Sequence, residues 1–446
     1  MQICLHCSAG IKMEDSNLKV AIVGMSHLGL VTTAALASKN IKVHAFDTDE
    51  ILITSLLSLD IGIEEPRLKS FLSLHKDFIT FSHNFALLSE FNVVLVTQDV
   101  DTNDSNLSDL SKINKILDLI NKNISRKSCL VILSQIPPGF SRDVSARIKC
   151  PLVYQVETLV FGSAIQRATN PERFILGLAD RNQELNKDYL SVLEIFNCPI
   201  LIMEYESAEL TKISINAYLA SSVTVTNLLA KKCEEIGADW DQIIPALQLD
   251  KRIGKYAYLN PGLGISGGNI ERDLITIKEI GEKSSIENTL INKIIDFNDD
   301  RKIWPQKILE SIYLTNQISD FKVCIFGVSY KKNTNSVKNS PALKLVQALN
   351  SKYEITLSDP IIKKLLVGES YIQVCSDPLV AVKDADALVI LTDWDEYKNF
   401  NGKDILKLMR GNLIIDPYKV ISRNNRHGMQ YFTLGVRNPK NIFELT

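Results

Sequence analysis

Lys19 to Gly24, KVAIVG, is an unbroken apolar run that stops at a glycine, and Leu28 to Lys39 follows at once with helical spacing. A short run that is apolar throughout belongs to a strand covered on both faces. Strand, tight turn and helix in that order commit this part of the chain to a β-α-β unit, and Val43-His-Ala-Phe-Asp47 supplies the second strand. Two more strands, Val93 to Thr97 and Cys129 to Ser134, flank an amphipathic helix from about Leu107 to Lys122. Such alternation builds an α/β parallel sheet whose ligand edge lies at the strand C-termini.

The first turn reads Gly24-Met25-Ser26-His27-Leu28-Gly29, a dinucleotide-type fingerprint in which serine takes the place of the second glycine. That place lets backbone approach a pyrophosphate, and Ser26 brings a hydroxyl able to donate to a phosphate oxygen. Asp47 ends the second strand 23 residues after Gly24. A carboxylate there accepts from ribose hydroxyls and repels a 2'-phosphate, which selects NAD over NADP. The alternative for Asp47 is a cap on the helix from Thr48 to Leu57. Thr97-Gln98-Asp99 and the run from Ser134 and Gln135 to Gly139 fall at the same sheet edge.

A chain of 446 residues is too long for one core and divides into two or three domains. Its net charge of -2 offers no field for a polyanion, which argues against a nucleic-acid partner. No run reaches the roughly 18 apolar residues of a membrane span, and Met1 to Asn17 lacks the marks of a signal peptide. The expectation is a cytoplasmic protein with no membrane partner and a disordered stretch over residues 1–17. The eight cysteines read as reduced thiols, and Cys4 and Cys7 form a lone C-x-x-C, so no metal is expected.

Asp250 to Asp273 holds five glycines, Gly254, Gly262, Gly264, Gly267 and Gly268. That density marks backbone at positive φ or close to a ligand, the plain alternative being a loop between helices. Before it, Ser207 to Ile236 reads as one long helix with Lys212 and Asn216 four apart on one face. Asn216 lies in an apolar stretch, where an unpaired amide is costly. After it, Ile286 to Thr315 reads as further helix. A second α/β domain opens near Phe321, with strands at Lys322 to Gly327, Glu354 to Pro360, Ala387 to Leu391 and Leu413 to Pro417.

From about Lys19 to Val436 these segments resemble the UDP-glucose/GDP-mannose dehydrogenase family. DKRIG, the glycine run and Asp273 are similar to its active-site loop, but Asn269 stands where the family has its catalytic cysteine and Glu271-Arg272-Asp273 replaces Pro-Lys-Asp. Gln135 replaces a threonine, and Glu65-Pro66-Arg67-Leu68 resembles E-P-G-L. Tyr154 to Gly177 sets Glu157 on the family's catalytic glutamate and Phe161 on a second one. Asn227 is kept, with Leu228 beside it in place of a glutamate. Gly327 to Pro341 resembles the segment that holds the nucleotide sugar, with Lys338 for an arginine, and Tyr418 replaces an arginine in D-G-R.

The resemblance implies two Rossmann-like parallel-sheet domains joined by a long central helix and a helical middle region. An NAD-binding domain would span 18–205, a helical domain 206–317 and a nucleotide-sugar-binding domain 318–446. The family oxidises the C6 alcohol of a nucleotide hexose with NAD, usually as a homodimer. By register, Lys212, Asn216, Asp273, Glu157 and Asn269 are catalytic candidates. Gly24, Ser26, His27, Leu28, Gly29, Asp47, Thr97, Ser134 and Gln135 are cofactor candidates. Thr158, Leu159, Arg252, Tyr258, Gly264, Gly267, Tyr330, Lys331 and Lys338 join Lys212 and Asn216 toward the sugar nucleotide.

An asparagine amide is no nucleophile, so Asn269 positions or polarises instead. Two other readings stay open, a non-catalytic relative that binds NAD or nucleotide sugar, and a 6-phosphogluconate-type dehydrogenase. The latter leaves the Lys331 to Pro341 segment unexplained, and the presence of Lys212, Asn216 and Asp273 favours an enzyme over the former.

Overall fold

The computed structural model describes residues 18–102, 108–280, 286–316, 320–349 and 353–438. The expectations for residues 1–17, for Cys4 and Cys7, and for a helix start at Leu107 fall outside them. The chain forms two compact units that divide between Ile215 and Asn216.

The first unit is built on β1 (Val20–Val23), β2 (Val43–Phe46), β3 (Ile79–Ser82), β4 (Val93–Val96), β7 (Cys129–Ile132), β8 (Leu152–Gln155), β9 (Phe174–Leu178) and β10 (Ile200–Glu204). A short pair, β5 (Asp101–Thr102) and β6 (Ser108–Asp109), stands apart. The sheet order is β10-β9-β8-β7-β4-β1-β2-β3. Val20 and Ile22 pack into one core and Ala21 and Val23 into another, which is why the KVAIVG run carries no polar face. The sheet is not wholly parallel as expected, because β8 pairs antiparallel with β9. Strand order reverses between β1 and β4, and Gly24 and Thr97 sit at that switch.

The central helix runs from Tyr205 to Ile236, starting in the first unit. Its Glu209 is fully buried and accepts the N–H of Gly139 at 2.6 Å and of Ser141 at 2.8 Å. These donors open the short helix Phe140–Ser145 just beyond Ser134 and Gln135. We expect Glu209→Gln to lower stability by about 1–3 kcal/mol, because an amide offers one acceptor and turns its NH2 against the second donor. A denaturation midpoint equal to wild type would refute this.

The second unit continues with helices Trp240–Leu249, Asn269–Glu279, Ile286–Lys302 and Trp304–Asn316. The last two fill the stretch from Ile286 to Thr315 that was expected as further helix; the break falls before Trp304-Pro305, where proline suits the first turn of a helix. The sheet follows with β11 (Lys322–Phe326), β12 (Glu354–Ser358), β13 (Lys364–Val367), β14 (Ser370–Cys375), β15 (Ala387–Ile390), β16 (Leu413–Ile415) and β17 (Gln430–Phe432). Its order is β13-β14-β12-β11-β15-β16-β17, parallel except for β13 with β14. Leu263 from the glycine loop joins the core over one face of this sheet.

Candidate active site

The first turn is shaped by contacts that leave no room for side chains. Gly24 has φ +101°, and a Cβ on it would meet Gln98 N at 2.8 Å. Thr97 is fully buried and donates to the carbonyls of Gly24 at 2.7 Å and Val23 at 3.1 Å, so it holds the turn in place. Ser26 donates to the Thr97 carbonyl at 2.9 Å, which ties the turn to β4 instead of reaching outward as expected. It gives the helix His27–Ala37 no side-chain cap. The first-turn N–H groups of His27, Leu28 and Gly29 therefore suit an anion.

Asp47 is not the cap of the next helix; Asp49 is. Asp47 accepts from Met25 N at 2.7 Å and from Asp49 N at 3.0 Å, joining the end of β2 to the turn. Ser134 is buried against the Val96 carbonyl, and Gln135 stands half-buried beyond β7. This cradle fits a dinucleotide.

In the same unit, Lys212 is 8% exposed and donates to the Glu157 carbonyl at 2.8 Å and its carboxylate at 3.2 Å. Glu157 also accepts from Leu159 N. A pocket is lined by Glu157, Thr158 and Leu159 together with Leu28 and Leu95.

Glu65, from the E-P-R-L run, is buried beside this segment. It accepts from His27 Nε2, Gly162 N and Ala164 N, each at 2.9 Å. Burial pushes its carboxyl up, but the bonds from His27, Gly162 and Ala164 outweigh that and hold it below the ordinary 4.5. A depressed carboxyl contributes stability above about pH 4.5 that is lost as pH falls through its folded value. Wild type should therefore be more stable than Glu65→Gln above that pH, and the gap in urea midpoints should close below it.

In the second unit, Asn216 is 8% exposed and donates to Asp273 Oδ2 at 2.5 Å; Asp273 is 2% exposed. The glycine loop is held by asparagines. Asn227 accepts from Gly262 N at 2.9 Å, and Asn298 brackets Ile265 by accepting from its N–H and donating to its carbonyl. Of the five glycines, Gly254, Gly264 and Gly267 take positive φ. A Cβ on Gly267 would stand 3.3 Å from the Tyr330 ring, and one on Gly268 would stand 2.9 Å from the Lys338 side chain. Gly267 N donates to the Lys338 carbonyl at 3.1 Å, and Asn339 donates to the Gly267 carbonyl at 2.8 Å. The loop thus lies on the Tyr330 to Asn339 segment, and Lys331 sits over the Tyr330 ring.

Asn269 opens its helix and accepts from Arg272 at 3.4 Å. Glu271, in the proline's place, accepts from Lys302 at 2.6 Å and from Asn339. Arg252 pairs with Asp250 and is 88% exposed, and Tyr258 is half exposed. Neither is drawn into these contacts. Asn298, Asn339 and Lys302 were not singled out in the sequence. Asn298 was legible in principle, since it continues the apolar stripe of Ile291, Ile294 and Ile295. Among the described residues no group of three His, Cys, Asp or Glu converges on a metal position.

Residues 18–196 match the NAD binding domain of the UDP-glucose/GDP-mannose dehydrogenase family, 206–300 its central domain and 324–423 its UDP binding domain. The UDP-glucose 6-dehydrogenase of Rickettsia prowazekii is 26% identical over 437 residues, covering 94% of this chain and 99% of the relative. UDP-glucose 6-dehydrogenase TuaD of Bacillus subtilis is 25% identical, over 94% and 93%. Among solved structures, a UDP-glucose dehydrogenase from Pyrobaculum islandicum superposes with TM-score 0.80 at 20% identity, covering 95% of this chain and 99% of that one. A UDP-D-ManNAc dehydrogenase from Pyrococcus horikoshii gives 0.79 at 21%, over 94% and 99%, which shows the shared fold. With all three domains matched in order along nearly the whole chain, the protein belongs to the UDP-glucose/GDP-mannose dehydrogenase family, and its cofactor is NAD.

Proposed function

We propose that this NAD-dependent nucleotide-sugar dehydrogenase oxidises the C6 alcohol of a UDP-hexose without a covalent sugar–enzyme intermediate. The observation that supports the reading is a pair of buried polar contacts at the positions the chemistry needs, Lys212 with Glu157 and Asn216 with Asp273. When bound, NAD supplies a hydride acceptor. The chain supplies the rest. Gly24 to Gly29 and Asp47 hold the cofactor, Asp273 takes the proton that leaves the alcohol, and Lys212 donates to the oxygen left behind. Asn216 donates to the oxygen that gains charge, and Asn269 donates to an aldehyde or hydrate oxygen because Arg272 engages its carbonyl.

Tyr330, Lys331 and Lys338 hold the nucleotide end beside Gly267 and Gly268. Arg252 and Tyr258, on the open part of the loop, are binding candidates of the same reading, with Gly264 shaping the turn. The route is synthesis of polysaccharide precursors in the cytoplasm. A homodimer is supported by an exposed apolar stripe on the central helix, Tyr218, Val225, Leu229 and Ile236.

The test is NADH formed per sugar consumed across a panel of UDP- and GDP-hexoses. Two per sugar means acid formation without a cysteine, and one means release at the aldehyde. Sugar-nucleotide binding with no NADH would replace this reading by the non-catalytic one.

A further inference from the structure

The chemistry above leaves Glu65 unused. Its side chain is 0% exposed. One oxygen takes both His27 Nε2 and Gly162 N, and the other takes Ala164 N. His27 is the first residue of the helix behind the dinucleotide turn, and Ala164 is the first of helix Ala164–Thr169. One carboxylate therefore joins the side chain that opens one helix to the backbone N–H that opens another. A second link joins the same parts, since the His27 ring stacks on Phe161 with centroids 4.0 Å apart and planes 24° apart.

The segment between, residues 157–164, carries Glu157 at its other end. Lys212 anchors that end, and Arg167 Nε donates to the Thr158 carbonyl at 2.9 Å. Of these three anchors, Glu65 is the one bonded to the turn. The loop that aims Glu65 is held at a cost. Arg67 sits at φ +69°, ψ -5°, a left-handed conformation suited to the glycine that the E-P-G-L pattern has there. The guanidinium lies over the Phe71 ring, 4.9 Å from its centroid, which offsets part of that strain.

We propose that Glu65 is a positioning residue that, through His27, couples occupancy of the dinucleotide turn to the order of residues 157–164. The inference rests on the dinucleotide reading of the turn given above. An anion at the helix head lies beside the residue that Glu65 holds. If His27 shifts, the buried carboxylate loses its side-chain donor and finds no other, so His27 and the Gly162 to Ala164 backbone move together. Dinucleotide binding then stiffens the segment that presents Glu157.

The experiment reads binding and order separately. NAD affinity is measured by calorimetry, and hydrogen exchange of residues 157–165 is followed with and without NAD. In the wild type, NAD should slow exchange at Gly162 and Ala164 about tenfold or more. In Glu65→Gln, NAD should still bind, weaker by about tenfold at most, while the slowing disappears. Arg67→Gly relaxes the turn yet leaves Glu65, and should keep the slowing. If Glu65→Gln fails to fold, Glu65→Asp withdraws the carboxylate from His27 and carries the same expectation.

Slowing of wild-type size in Glu65→Gln or Glu65→Asp overturns the coupling while leaving the cofactor reading intact. Absence of NAD binding to the wild type overturns both.

Discussion

Replacing Lys212 with alanine is expected to lower the rate of NADH formation by at least about a thousandfold, on the order of 4 kcal/mol of transition-state stabilisation. The fold should survive, with unchanged circular dichroism. The Lys212 ammonium is the buried cation that meets both the carbonyl and the carboxylate of Glu157. Truncation removes the cation that donates to the developing alkoxide and leaves Glu157 without that partner. A loss of about 1–3 kcal/mol in stability should accompany the loss of rate. Lys212→Arg keeps the charge but spreads it over a planar fork, and should recover stability better than rate. A Lys212→Ala rate within twofold of wild type would take Lys212 out of the mechanism.

For Asn269→Cys the expectation runs the other way, toward more four-electron turnover and a thiol that iodoacetamide alkylates at neutral pH. Residue 269 begins a helix, and the Arg272 guanidinium reaches its side chain at 3.4 Å. A thiol at a helix N-terminus beside a guanidinium ionises below its usual value of about 8.5. Burial pushes the thiols of Cys150 and Cys324 the other way, to about 11 and about 12, and peptide mapping assigns the new label to residue 269. Labelling without added NADH would place the limit in the neighbours, above all Glu271, which is tied to Lys302 and Asn339. No labelling would refute the electrostatic argument itself.

The strands nearest each sheet's centre could be read from the sequence because they are buried on both faces and therefore uniformly apolar. KVAIVG and KVCIFG are the clearest cases. The outer strands could not. In β3 no residue is fully buried, and β13 has one buried residue, Leu365, so neither shows an apolar run. The antiparallel step from β8 to β9 is set by tertiary pairing that no local pattern records.

At the candidate site, Asn216 was visible because an amide inside an apolar stretch needs a partner, whereas Lys212 and Asp273 stood out through the resemblance to the family. What Ser26 does was not visible. Its hydroxyl turns to the Thr97 carbonyl, 71 residues away in the chain, and only the strand register puts that acceptor within reach. Arg67 was visible as a departure from glycine, but its strained backbone was not.

The two sheets begin with the same device. Gly327, like Gly24, takes positive φ, and Asp359 at the end of β12 accepts from Val328 N at 2.8 Å as Asp47 does from Met25 N. The second copy, however, is closed. Asp359 is 0% exposed and also takes Ile361 N, Ile362 N and the Trp394 indole, and no helix begins until Pro341. Asp359 is thus not left for a ribose, and no helix head follows the Gly327 turn directly. A dinucleotide titration should therefore saturate at one equivalent per chain, and excess NAD should not compete with the sugar nucleotide. The enzyme would escape the dead-end complex that two like turns would otherwise invite.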